Sequence, residues 1–187
     1  MTAKPRLYVL GASCSGVSTL GRALAARFAV PPLDVDDFYW MPTDPPYRVK
    51  RAPEDRVRLI AQQQREADGW VLAGSFIGWG EALVQAVDLI VFLYTPTPVR
   101  LQRLDAREEQ RHGARIRPGG DMHEASRAFR EWASRYDDPS FEGRNRAQHE
   151  RWLAEQGAPV LRLDGERPVE ALVLCVAEAL ASGFMRR

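Results

Sequence analysis

Lysine is nearly absent from this chain. Of its 26 basic residues only Lys4 and Lys50 are lysines and the rest are arginines, so a cationic role in chemistry falls to arginine. Charge of either sign is not in excess. Twenty-six basic against 25 acidic residues leave a formal +1, which excludes the basic surplus of a dedicated nucleic-acid binder. Cysteine is scarce, and Cys14 and Cys175 provide neither a disulfide framework nor a metal site by number or spacing. His112, His123 and His149 share no metal-ligand spacing and read as surface or loop residues. No apolar run approaches membrane-spanning length, and no signal pattern precedes the first apolar run, so a cytoplasmic address and no membrane partner are expected. Repeats, low-complexity tracts and interdomain linkers are missing as well. A length of 187 residues suits one domain, 1–187, with a full core.

What is present alternates strand with helix. "RLYVLG", the stretch within "VPPLDVDDFYW", "GWVLAGSF", "VDLIVFLY" and "PVLRLDG" read as five short strands. The fourth is the most apolar, as suits a central parallel strand covered on both faces. Helices are expected from about Gly16 to Phe28, Pro53 to Ala67, Pro98 to Arg111 and Pro168 to Ala181. This is the pattern of a doubly wound parallel α/β domain. About 65 residues separate the fourth strand from the fifth, far more than one crossover helix needs. That excursion holds two further polar helices, near 122–136 and 143–156, and its part at about 108–140 reads as a lid.

"GASCSGVSTLG" follows the first strand directly. Gly11, four residues, Gly16 and then Ser18-Thr19 keep the frame of a phosphate-binding loop, G-x-x-x-x-G-K-[ST], but the lysine position holds Val17. The anion grip of such a loop comes from main-chain N–H groups and the helix dipole. Gly11, Ala12, Ser13, Cys14, Ser15, Gly16, Val17, Ser18 and Thr19 can therefore still form the cradle. The lost ammonium corresponds to roughly 3–4 kcal/mol of transition-state stabilisation unless another cation takes over. Cys14 strains the loop by about 1 kcal/mol if its φ is positive. The plainer alternative is a glycine turn that merely joins strand to helix.

With "LDVDDFYWMPTDPP", "KRAPEDR", "WVLAGSFIGWG", "DLIVFLYTPTPVRLQRL", "RIRPGGDM" and "PVLRLDGERPVE", this loop resembles the P-loop kinases of the adenylate kinase and shikimate kinase group. The nearest resemblance is to a bacterial adenylate kinase-like branch in which G-A-S-G-S-G-[TV]-[ST]-T-L-G replaces the standard loop. The resemblance implies a three-layer P-loop fold with a five-stranded parallel sheet of order 2-3-1-4-5, a helical lid, and a missing lysine that is a trait of the branch.

It also implies roles for particular residues. Asp34 and Asp36 match an Asp-x-Asp that holds Mg²⁺ and orients the acceptor hydroxyl, with Ser18 as a second metal ligand and Asp37 as a substitute for either acid. In related kinases the third strand supplies another acid; here it carries Ala73. Gly74 and Trp79 in "GSFIGWG", Trp40 opposite them and Lys50 would line the acceptor pocket. Arg103 and Arg107, from a stripe that also contains Arg100 and Arg111, would act on the transferred phosphoryl group with Arg115 and Arg117 of the lid. Arg144 and Arg146 form a second group. Gly165, Arg167 and Pro168 would pack against adenine. The expected function is transfer of the γ-phosphoryl of ATP, with Mg²⁺, to a nucleoside, nucleotide or small hydroxylated metabolite, by a monomer or weak homodimer. The alternative is a nucleotide-binding protein with little or no catalysis, or a slow hydrolase, because Val17 stands at the lysine position.

Overall fold

The computed structural model describes residues 4–183. Five strands, β1 (Arg6–Gly11), β2 (Pro32–Asp34), β3 (Trp70–Ala73), β4 (Leu89–Tyr94) and β5 (Val160–Asp164), form one sheet of order β2-β3-β1-β4-β5. Every pairing is parallel; Leu7 lies opposite Val71 on one side and Leu89 on the other. Parallel neighbours require crossovers, and helices supply them: α1 (Val17–Phe28), α2 (Val35–Tyr39), α3 (Pro53–Arg65), α4 (Thr97–His112), α5 (His123–Ser134), α6 (Arg146–Ala154) and α7 (Val169–Ala181).

Side chains alternate across a strand, and the core divides accordingly. Leu7, Val9, Leu89, Val91 and Leu93 join Leu20 and Leu24 of α1 and Leu172 and Val176 of α7 on one face. Tyr8, Leu10, Ile90 and Phe92 join Ile60 of α3, Phe76, and Trp152 and Leu153 of α6 on the other. The central strands are thus covered on both sides, which is why "VDLIVFLY" shows no polar alternation. The second strand is shorter than its apolar neighbours suggest. It ends at Asp34, whose side chain accepts a hydrogen bond from the Asp36 N–H and caps α2. Asp36 and Asp37 therefore sit on a helical turn.

Between β4 and β5 the chain leaves the sheet along α4, makes a 3-10 turn at Gly113–Ile116, runs through α5 and a second 3-10 turn at Arg135–Asp137, and returns on α6. Among the described residues no helix is long and apolar enough to cross a membrane.

The turn after β5 packs directly on the turn after β1. A Cβ at Gly165 would overlap Thr95 Oγ1 and stand 2.8 Å from the Ser15 carbonyl. Gly165→Ala should therefore cost about 1–3 kcal/mol in a urea melt. Gly157→Ala, where a Cβ meets nothing, should stay within about 0.5 kcal/mol.

Candidate active site

All the elements with chemistry converge beyond the carboxyl ends of β1, β2, β3 and β4, where open parallel sheets bind ligands. The loop between β1 and α1 has its carbonyls tied down. Ser15 N–H and Oγ–H both donate to the Ala12 carbonyl, at 3.2 and 2.8 Å. Arg100 Nη1 donates to the Ser13 carbonyl at 3.4 Å. The Ser15 carbonyl takes Thr95 Oγ1 at 3.1 Å and Arg103 Nη1 at 3.4 Å. Cys14 and Gly16 have φ of 63° and 103°, the left-handed turns that let consecutive amides converge. Helix α1 starts at this point without a side-chain cap, and the N–H groups of Val17, Ser18 and Thr19 find no acceptor among the described residues. A helix start with carbonyls held away and amides free is a receptor for phosphate oxygens.

Val17 does not enter that cradle. It is 8% exposed and packs in the apolar cluster with Leu93 and Leu163. The cations nearby come from α4. Arg103 spans from Ser15 to the Gly165 carbonyl, the latter at 3.0 Å from Nη2. Arg107 is half-buried, pairs with Glu108 at 3.2 Å, and its charge acts on both Cys14 and Asp36. Arg100, another member of the stripe, is 1% exposed and structural: it also donates to the Thr95 and Ala133 carbonyls and to Thr97 Oγ1. Burial pushes the Cys14 thiol up despite Arg107, so this is no activated thiolate.

Asp34 ends β2 with Oδ2 4.0 Å from Arg22. Arg22 lies one helical turn beyond Ser18, so Ser18 and Asp34 face the same side of α1. Asp36 is reached by water yet crowded by protein, the signature of a carboxylate in a cleft. The crowding raises its pKa first and the Asp34 carboxylate second, while the Arg144 guanidinium pulls it down. Asp37 is raised by the same two causes. Among the described residues no three His, Cys, Asp or Glu side chains form a metal cluster. A hydroxyl, one carboxylate and phosphate oxygens suit Mg²⁺, which keeps several waters, and Ser18 and Asp34 fit that part.

The acceptor side contains residues the sequence did not single out. Arg56 on α3 is 6% exposed, donates through Nε to the Arg51 carbonyl at 2.7 Å, and lies 3.9 Å from the Tyr39 ring centroid and 5.2 Å from that of Trp79. It has no ion pair among the described residues. Its signal was its spacing, four residues before buried Ile60 on the inward stripe. Trp40 bridges to Lys50 across a two-strand contact, and Lys50 Nζ stands about 6 Å from the Tyr39 and Trp40 rings, with no ion pair among the described residues. Gly74, at φ 121°, ends β3 against Val35.

Three expectations need correction. Arg115 and Arg117 do not reach the loop in this arrangement. Arg115 holds Asp121 in a two-point pair, at 3.0 and 2.7 Å, and Asp44 at 3.0 Å, and Arg117 pairs with Glu109. Acids six and eight residues away satisfy them first. Arg167 donates to Cys175 Sγ at 3.3 Å and so lies back along α7, with Pro168 capping that helix, leaving Gly165 as the member of the trio against the loop. His149 is no surface residue. It is fully buried between Ser75 Oγ, at 3.1 Å from Nε2, and the Tyr136 hydroxyl, at 2.7 Å from Nδ1. The polar composition of α6 hid this inward position.

No family model matches this chain. It is 40% identical over 179 residues to the uncharacterized protein YqaC of Bacillus subtilis strain 168, covering 96% of this chain and 99% of that protein. The chain belongs to the YqaC family. Among solved structures it is similar to shikimate kinase from Bacteroides thetaiotaomicron, with TM-score 0.58, 16% identity, and 95% of this chain and 98% of that one covered. A sugar kinase from Janibacter sp. HTCC2649 gives TM-score 0.52 and 14% identity over 95% and 94%. At such identities the likeness shows the fold, and that fold is P-loop kinase-like.

Burial, and then Arg144, push His149 down to about 3. A histidine neutral when folded but protonated when unfolded loses stability as pH falls from its ordinary value near 6.5 toward 3. Wild-type protein should lose up to about 2 kcal/mol between pH 8 and pH 5 from this group alone. His149→Gln should flatten that part of the urea-melt pH profile.

Proposed function

We propose that this protein is an ATP-dependent, Mg²⁺-requiring phosphotransferase whose small acceptor carries a hydroxyl and an anionic group. The observation that carries this reading is the free amide cradle at the start of α1, with Arg103 on its rim and the Asp34–Asp36 pair beyond β3. A turn that only joined strand to helix would not need its carbonyls clamped by two arginines and a threonine.

The loop amides of Gly16 to Thr19 take phosphate oxygens, and Arg103 supplies the positive charge that Val17 does not. Mg²⁺, held through Ser18 and Asp34, would draw negative charge from the phosphate oxygens. Asp36, with its raised pKa, accepts the proton of the acceptor hydroxyl. Arg56, fixed between Tyr39 and Trp79, and Arg144 give the acceptor's anionic group its counter-charge. The turn around Arg115 and the segment around Asp44 close over this side through their ion pair. The second reading, a nucleotide binder with little turnover, is favoured by one observation: Val17 is committed to the core.

Phosphoryl transfer measured over a panel of nucleosides, nucleotides and hydroxylated carboxylates or phosphates should show stimulation by one anionic class. Arg103→Ala should then lower kcat about 100-fold or more while changing the Mg-ATP Kd less than about tenfold, and Arg103→Lys should retain part of the rate. Absence of binding heat with millimolar Mg-nucleotides would remove the phosphotransferase and the binder together; binding with no turnover for any acceptor would leave the binder.

The acid limb of kcat/KM should lie above the ordinary carboxylate range. Turnover falls as pH drops through the Asp36 pKa, because the protonated acid cannot accept a proton. Removing a neighbouring negative charge lowers that pKa, so Asp37→Asn should shift the limb to lower pH.

A further inference from the structure

Arg100 carries a full charge at 1% exposure, and a charge buried to that degree must be matched inside the protein. Two sets of partners divide its guanidinium between them. Toward the site, Nη1 meets the Ser13 carbonyl and Nε the Thr95 carbonyl, while the Thr95 hydroxyl holds the Ser15 carbonyl. The other set comes from the end of α5 and the 3-10 turn that follows it. Nη1 also donates to the Ala133 carbonyl at 3.1 Å, one of the last-turn carbonyls that a helix leaves without an internal partner. The Tyr136 ring centroid lies 5.0 Å from the guanidinium carbon, and the Tyr136 hydroxyl is pinned to His149 of α6. Asp137 Oδ2 stands 3.8 Å from Nη2. The Thr97 hydroxyl bridges these two, accepting from Arg100 Nη2 and donating to Asp137 Oδ2. Burial pulls the Arg100 pKa down from its ordinary value, and the Asp137 carboxylate is the first neighbour acting against that.

We propose that Asp137 is a positioning residue for the loop between β1 and α1: through the Thr97 hydroxyl it seats Arg100, and Arg100 fixes the Ser13 carbonyl. The seat combines a carbonyl, an aromatic face and a carboxylate, and only the carboxylate brings a whole opposite charge. It is built from the second half of the excursion, whereas the groups that Arg100 grips lie beside the amide cradle. If the turn at Arg135–Asp137 left α4, Arg100 would lose the Ala133 carbonyl, the Tyr136 ring and its counter-charge together. A guanidinium without those partners would not keep its hold on Ser13. Docking of the excursion and the shape of the cradle are therefore one equilibrium, and an anion that favours the second favours the first.

This inference rests on the reading of the loop as a phosphate site, but its first readout needs no ligand. Asp137 has a side chain 34% exposed, so Asp137→Asn removes the charge without opening the core. In full-length, ligand-free protein, the backbone amide NMR signals of Ser15 to Thr19 should move in Asp137→Asn. They should move in the same direction in Thr97→Val, which breaks the bridge and changes no charge. Signals of Leu172 to Val176 on α7 should stay in place, and Thr97→Ser, which keeps the hydroxyl, should match wild type. In calorimetry with inorganic tripolyphosphate, Asp137→Asn should bind about fivefold more weakly or worse.

Unmoved loop amides in folded Asp137→Asn overturn the proposal. So do amides that move in Asp137→Asn but not in Thr97→Val, because the carboxylate would then act by a route other than this bridge. An unchanged tripolyphosphate affinity in a variant whose loop amides have moved overturns it as well. Should Asp137→Asn fail to give a cooperative thermal transition, Thr97→Val takes its place under the same criteria. If the amides move but wild-type protein gives no heat with tripolyphosphate, the positioning role stands and the phosphotransferase reading alone falls.

Discussion

Arginine-to-carbonyl contacts from α4 hold the shape of the loop between β1 and α1. Arg100 and Arg103 are three residues apart on one helix face, and they grip the Ser13 and Ser15 carbonyls from the same side. A backbone carbonyl turned toward a guanidinium is turned away from the cradle, so the amides that follow are left to face an anion. Glycine at 16 and the left-handed Cys14 make this possible, and the two arginines, with Thr95 and the Ser15 side chain, favour that arrangement over others open to a flexible turn. The loop, the turn after β5 and the first helix of the excursion are therefore one mechanical unit. Gly165 is part of it because its carbonyl completes the grip of Arg103.

All five strands were legible because each level of the sequence agreed: apolar runs of strand length, glycine or proline at the boundaries, and amphipathic helices between them; the sheet order came only with the resemblance to P-loop kinases. The turn between β1 and α1 was legible for the same reason, since its glycine frame fixes main-chain geometry more than side-chain identity. What stayed hidden were side chains whose role depends on which face of an element turns inward. His149 lies on a helix of polar composition, and only the fold shows that one edge of it enters the core. Arg56 shares its stripe with Ile60, and a cation on an apolar face looks like noise until the rings of Tyr39 and Trp79 are seen beside it. Arg115 and Arg117 show the converse. Their place in the excursion pointed to the phosphates, but Asp121, Asp44 and Glu109 are nearer partners, and local pairing took precedence.

Kinship with YqaC extends over nearly the full length, while the solved kinases share only the architecture. That combination separates two kinds of information. The fold supplies a ligand-sized place at the ends of parallel strands. The side chains that give the place its chemistry, an arginine-rich α4, paired aspartates on β2 and α2, and the aromatic flank around Arg56, belong to this sequence and must be understood from their own geometry.

A guanidinium in place of an ammonium beside the loop has a consequence of its own. An amine at such a site is a nucleophile whenever it sheds its proton, open to acylation, to aldehydes and to electrophilic nucleotide analogues. A guanidinium such as that of Arg103 offers no lone pair for such reagents. Affinity labels built to capture an amine would find no target at Arg103.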